Sequence, residues 1–196
     1  SGCASMGGGR VMTRDEALQL VRAKVANDNL VKHMLAAEAV MGALARRLGE
    51  EEERWRLAGL LHDLDAEETA EDMEVHGLHT LDMLREAGLD DDDDVLRAIA
   101  AHNPANGSSV VSAMDRALFA CDPLTGLITA AALIRPEKKL AMVAIKSLRK
   151  RFKEPSFAKG ARREDILTCA DLGLELEEFM AIGLEAMQEV SDDLGL

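Results

Sequence analysis

The chain has 196 residues, 47% of them hydrophobic and 30% charged, with a net charge of −13. Length and balance suit one globular domain with a sizeable core, not a disordered or fibrous chain. The acidity argues against general nucleic-acid binding, and neither an apolar run of membrane-span length nor a signal-peptide h-region is seen.

Aromatics are only 3%, with no Tyr, while Ala, Leu and Met are plentiful. Strand-rich proteins lean on aromatic and β-branched residues, so this profile argues for an all-α fold. Three cysteines (Cys3, Cys121, Cys169) without CxxC spacing do not make a disulfide framework, and a reducing cytoplasm is expected. Cys121 reads as a small buried hydrophobe.

Residues 1–12, with their Gly-Gly-Gly, read as a leader outside the fold. Thr13 to Glu16 is a capping-box pattern that opens a helix over about 13–27. Asp28 or Asn29 caps a second over 30–48, stopped by Gly49. A third runs from the 50–53 acidic turn to about Leu64, and a fourth spans roughly 70–87. The acidic run 90–94 suits a helix N-terminus and leads into a helix ending near His102. Residues 103–109 read as a loop. Helices follow over about 110–133, bent or restarted at Pro123, and over 136–152, with Pro136 in the first turn. A short helix near 163–169 and a last one near 175–190 complete the chain. Residues 13–135 form the expected core, and 136–196 are helices packed on it.

All five histidines fall in the first 102 residues, and His62 is followed directly by Asp63. An adjacent His-Asp pair can offer an imidazole nitrogen and a carboxylate oxygen to one divalent cation. Helical spacing puts His33 in a stripe with Ala37, Val40 and Leu44, and His102 in line with Val95 and Ala98 or Ile99, so both face inward. On the expected fourth helix His76 aligns with Thr80, Met83 and Ala87, whereas His79 points toward Asp82 and Glu86, to solvent. Several buried imidazoles are costly unless each is paired, and a shared cation would account for them. The remaining acid comes from later in the chain. Asp122 follows an apolar run, while its rival Asp115 has Arg116 beside it as an ordinary ion partner, which favours Asp122. In this acidic chain, eleven of the 23 Lys and Arg residues fall between Arg135 and Arg163. They make either a solvated helix face or a positive rim for an anionic substrate.

The order His33, His62-Asp63, Asp122 on successive helices resembles the HD superfamily of metal-dependent phosphohydrolases. Val31-Lys32-His33, Leu60-Leu61-His62-Asp63-Leu64 and the segment from Ala120 to Ile128 carry the likeness, which covers about residues 30 to 130. The tail from Arg135 onward resembles that of a bacterial group of predicted HD hydrolases. The resemblance implies an HD-type helical bundle in which His33, His62, Asp63 and Asp122 hold one metal. In two-metal subgroups His76 and His102 would join, with Asp63 bridging. The chain departs from the HD-Ile-Gly-Lys form, with Asp65 and Ala66 at the Gly and Lys positions, so that lysine's phosphate contact is absent.

The activity so implied is hydrolysis of a phosphate ester or anhydride (EC 3.1 type) of a small metabolite, a nucleotide above all. One or two divalent ions (Mn, Fe, Mg, Co, Ni or Zn) would activate a water. Asp63 would hold metal and orient the nucleophile, Glu67 or Glu68 would shuttle a proton, and Lys146 and Arg149 would contact phosphate. The expected partner is a small anionic substrate, not a membrane, with a homodimer as one option for assembly. The alternatives are a di-iron oxygenase of the inositol oxygenase kind, with the same ligand order, and a non-catalytic nucleotide-binding HD module.

Overall fold

The computed structural model describes residues 11–89 and 93–196, and among them it is built from helices without strands. Five helices precede the long central loop: α1 (Arg14–Lys24), α2 (Asp28–Leu48), α3 (Glu52–Leu61), α4 (Leu78–Glu86) and α5 (Asp94–Ala101). Five follow it: α6 (Ala113–Leu133), α7 (Ile145–Phe152), α8 (Arg163–Leu167), α9 (Leu176–Glu189) and α10 (Ser191–Leu194). The two 21-residue helices, α2 and α6, pack on each other; α2 also meets α3 and α9, and α6 meets α5, α7, α8 and α9. One hydrophobic core gathers Val21, Met41, Leu60, Leu84, Ile99, Leu118 and Leu148 with Ile166, Phe179 and Met187, so the helices after Arg135 bury their apolar faces in it as well.

Helix starts follow side-chain capping. Thr13 accepts from the Glu16 N–H (3.2 Å), and Gly49 ends α2 in the left-handed conformation at φ 71°. The cap of α2 is Asn27, one residue before the expected pair, accepting from Asn29 N–H (2.9 Å). Asp93 caps α5 through Val95 N–H (2.8 Å), while residues 90–92 of the acidic run lie outside the described residues. At α6 Ser112 and Asp115 form a reciprocal capping box. Asp115 therefore spends its carboxylate on Val111 and Ser112 N–H groups (3.0 Å each), and not on Arg116, which pairs with Asp171 at 3.3 Å.

Two expected helices are corrected. The fourth starts at Leu78, not near residue 70, because residues 62–76 run as successive turns tied by polar side chains. Asp65 accepts from the N–H groups of Gly77 (2.7 Å) and Thr80 (3.1 Å), and Glu67 from those of Ala26 (2.8 Å) and Asn27 (3.1 Å). Side-chain acceptors here outcompete a helical ladder. The helix expected over 136–152 is confined to α7, since Lys138 turns left-handed at φ 51°, and buried Leu140 and Val143 dock a short 3₁₀ turn on the core. Packing overrides local propensity there. Helix α6, by contrast, runs through Pro123 without interruption.

By length and composition α6 is also the one described helix long and apolar enough to cross a membrane, which corrects the reading that no run reaches that length; 56% of its apolar stretch is buried inside the bundle. Cys121 and Cys169 are both buried thiols, and burial pushes the Cys121 thiol up.

Candidate metal centre

The close approach of α3 to α2 sets the geometry. A Cβ on Gly59 would stand 2.6 Å from the carbonyl carbon and oxygen of Ala37, so only glycine lets the two backbones meet there. His62 follows at the end of α3, fully buried, and its Nδ1 donates to the Gly59 carbonyl at 2.7 Å. Its Nε2 is thereby aimed at α2 and α6, where it lies 3.1 Å from His33 Nε2 and 3.3 Å from Asp122 Oδ1.

Each of four imidazoles is oriented in the same way, by an acceptor for Nδ1. Thr125 donates its hydroxyl to the Asp122 carbonyl (2.8 Å), which leaves its oxygen to accept from His33 Nδ1 (3.3 Å). Thr69 donates to the Asp65 carbonyl (2.8 Å) and accepts from His76 Nδ1 (3.0 Å), with Asp65 Oδ1 2.9 Å from the same nitrogen. His102 Nδ1 donates to the Ile99 carbonyl. In the neutral rings this leaves the four Nε2 atoms as acceptors, and they converge.

Asp63 stands between two pairs of them. Its Oδ2 lies 3.2 Å from His33 Nε2 and 3.3 Å from His62 Nε2; its Oδ1 lies 3.1 Å from His76 Nε2 and 3.3 Å from His102 Nε2. Asp122 Oδ1 closes the first group at 2.8 Å from His33 Nε2. His33, His62, Asp63 and Asp122 thus form one four-donor group, and Asp63, His76 and His102 a second, with Asp63 common to both. Asp63 Oδ1 is buried and makes no hydrogen bond among the described residues. Lone pairs converging on a buried, unbonded carboxylate oxygen fit divalent cations.

The electrostatics agree with strong pairing. Burial opposes a charge on His33, but the hydrogen-bonded Asp122 and Asp63 carboxylates outweigh it and raise its pKa to about 9. His76 is likewise disfavoured by burial yet raised to about 9 by Asp63 and Asp65. Desolvation pushes the Asp63 and Asp122 carboxyls up, and the imidazoles overcome it, holding both well below the usual carboxylate range.

Other sequence-predicted residues lie elsewhere. His79 is exposed and pairs with Glu68 at 3.3 Å. Glu67 and Glu68 are both exposed, and Glu67 is occupied by the N–H groups of Ala26 and Asn27 between α1 and α2. Lys146 and Arg149 line a depression with Ala144, Ser147, Lys150 and Lys153, and Arg149 reaches Glu177 at 3.3 Å. None of those residues borders the depression of about 400 Å³ that opens on His33, His102 and Asp122. Its wall instead carries Arg162 and Asp165, and burial, opposed by Arg162 but aided by Glu164 and Asp122, pushes the Asp165 carboxyl up. Asp65, fully buried, completes the set of functional residues that sequence reasoning passed over. Its place two residues after the His-Asp pair was visible; its partners are decided by the fold of residues 62–77.

The chain matches the HD domain family over residues 30–144, more than half of its length, and belongs to that family. Ribonuclease Y of Oleidesulfovibrio alaskensis is 34% identical to it over 80 residues, which are 39% of this chain and 14% of that relative. Ribonuclease Y of Nitratidesulfovibrio vulgaris is 36% identical over 80 residues, with the same coverage. The match thus spans only about a seventh of the length of these curated relatives. No solved structure matches the chain.

Proposed function

We propose that the protein is a metal-dependent phosphohydrolase acting on a phosphate ester or anhydride of a small nucleotide-like metabolite in the cytoplasm. The observation that carries this reading is the pair of Asp63 oxygens, each facing its own set of histidine Nε2 atoms. Divalent cations held there would supply positive charge to polarise a phosphoryl oxygen and acidify a water. The protein's own residues do the rest. Thr125, Gly59, Thr69 with Asp65, and Ile99 fix the four rings, Asp63 orients both halves of the centre, and Asp165, on the wall of the depression that opens on the centre, is assigned the transfer of a proton to the leaving oxygen.

The relatives that the chain matches are named ribonucleases, which adds phosphodiesters to the substrates to be screened, while the net charge of −13 opposes long polyanions. The test is elemental analysis of the purified protein, then phosphate release under anaerobic conditions with Mn²⁺ or Mg²⁺. Anaerobic turnover of an ester, lost in Asp63→Ala, is the expected result. Bound iron with product formed only in the presence of O₂ would replace this reading by the di-iron oxygenase. Asp165→Asn should lower kcat at least about tenfold on an alkyl phosphate and hardly at all on p-nitrophenyl phosphate, whose leaving group needs no proton. Equal losses on both would remove Asp165 from that role.

A further inference from the structure

The basic segment supplies one side chain to the depression beside the metal centre. Among the described residues that line it, Arg162 is the one Lys or Arg, on the wall with Gly160, Ala161 and Asp165 and facing His33, His102 and Asp122. Its side chain is 67% exposed and its ion partners lie within its own segment, Glu164 at 3.2 Å and Asp165 at 3.7 Å. A guanidinium carries five N–H donors in a planar fork that matches phosphate oxygens; its pair with exposed Glu164 holds it only weakly, and the one with part-buried Asp165 is long at 3.7 Å.

The next residue holds this wall in place. The five N–H groups of Arg163 reach six backbone carbonyls, three of them sharing the two hydrogens of Nη2: Arg151 (3.2 Å), Phe152 (2.9 Å) and Glu154 (3.0 Å) at the end of α7, then Phe157 (2.5 Å), Ala158 (2.9 Å) and Ala161 (2.7 Å) in the loop. Ala158 takes a left-handed φ of 47°, which a residue with a Cβ adopts only when its surroundings impose it. The guanidinium also sits over the Phe152 ring at 5.9 Å. One half-buried cation therefore satisfies the carbonyls that terminate α7 and winds residues 153–161 into a fixed loop.

We propose that this loop is the substrate-side wall of the centre, with Arg162 as the contact for the substrate's phosphoryl group and Arg163 as the positioning residue that presents it. The proposal rests on the hydrolase reading and moves the phosphate contact from Lys146 and Arg149 to Arg162.

The test uses the manganese-loaded protein and inorganic phosphate as the probe, titrated by calorimetry. Arg162→Ala should weaken phosphate about tenfold or more, the scale of one lost charged hydrogen bond, with manganese content and melting temperature unchanged. Arg162→Lys should recover part of the loss. In kinetics on an accepted ester the effect falls chiefly on KM. Arg163→Lys keeps the charge but loses the fork. It should speed amide exchange within residues 153–161 and weaken phosphate by a similar factor, and the double variant should bind no worse than Arg162→Ala. Unchanged phosphate affinity in Arg162→Ala, in a protein that hydrolyses esters, overturns the loop assignment and leaves the hydrolase reading standing. Faster exchange in Arg163→Lys without loss of affinity overturns the positioning role. A wild-type protein that neither binds phosphate nor hydrolyses any ester overturns both readings together.

Discussion

Asp65 is a fully buried carboxylate whose two oxygens do different work. One accepts from the N–H groups of Gly77 and Thr80, the other lies 2.9 Å from His76 Nδ1. Burial opposes its ionisation, and His76 with those backbone donors overcomes it, so its pKa is lowered. Outer partners of this kind fix a ligand's ring and raise its basicity, and their loss typically costs about 10–100-fold in metal affinity. Asp65→Ala should therefore weaken the group formed by Asp63, His76 and His102 by about that factor and spare the His33, His62, Asp122 group. Titration with Mn²⁺, followed by calorimetry, should show one strong and one weakened site. Equal weakening of both would refute the division of labour. Local sequence announced His76 as inward but for an incomplete reason: it lies in the turns before α4, not on a helical face. Asp122 was preferred over Asp115 on an assumed ion pair, whereas Asp115 is in fact a helix cap.

At the level of elements, the approach of α2 and α3 is the contact on which the His-Asp pair depends. Gly59→Ala would force a methyl onto the backbone of Ala37. Overpacking of this kind costs about 1–3 kcal/mol, and here it also pushes His62, three residues on, away from His33. Urea denaturation should show the loss, and metal titration a weakened first site. Gly126 in α6 is the comparison, because a Cβ there meets nothing within 4 Å. Gly126→Ala should raise stability by up to about 1 kcal/mol through helix propensity alone. If both substitutions behave alike, close packing at Gly59 is not what sets the centre. Most helices were legible from caps and apolar spacing, since Thr13, Gly49 and the α2 stripe act locally. Residues 62–77 were not, because their turns are held by carboxylates and by Gly77 at φ 94°, not by the chain's own periodicity.

For the whole molecule, the ion pairs of the centre tie stability to pH. In chelator-treated protein His33 and His76 carry pKa values of about 9, above their ordinary 6.5. Their contribution is fully present below the ordinary value and is lost as pH rises through about 9. Asp63, Asp65 and Asp122 are held below their ordinary 3.8, so theirs is present above that value and lost as pH falls. The melting temperature without metal should be highest between roughly pH 4 and 6.5. Added Mn²⁺, which requires unprotonated imidazoles, should raise it most on the alkaline side. A chelated protein equally stable at pH 6 and pH 10 would show that these pairs do not contribute.

Helical class, the order of the candidate ligands along the chain and the family membership could all be read from residues alone, since capping, apolar periodicity and the His-Asp dipeptide are local signals. The cluster of basic residues from Arg135 to Arg163 is the sequence feature behind the anionic substrate proposed above. Which of those cations faces the centre depends on how the helices pack. Arg162 lines the depression that opens on His33, His102 and Asp122, next to an Arg163 hydrogen-bonded to the loop's carbonyls, while Lys146 and Arg149 line another depression. Proton-shuttle and outer-partner roles depend on packing in the same way. A carboxylate's partners are set by where the backbone N–H groups around it end up, and that is a property of packed helices rather than of spacing along a chain.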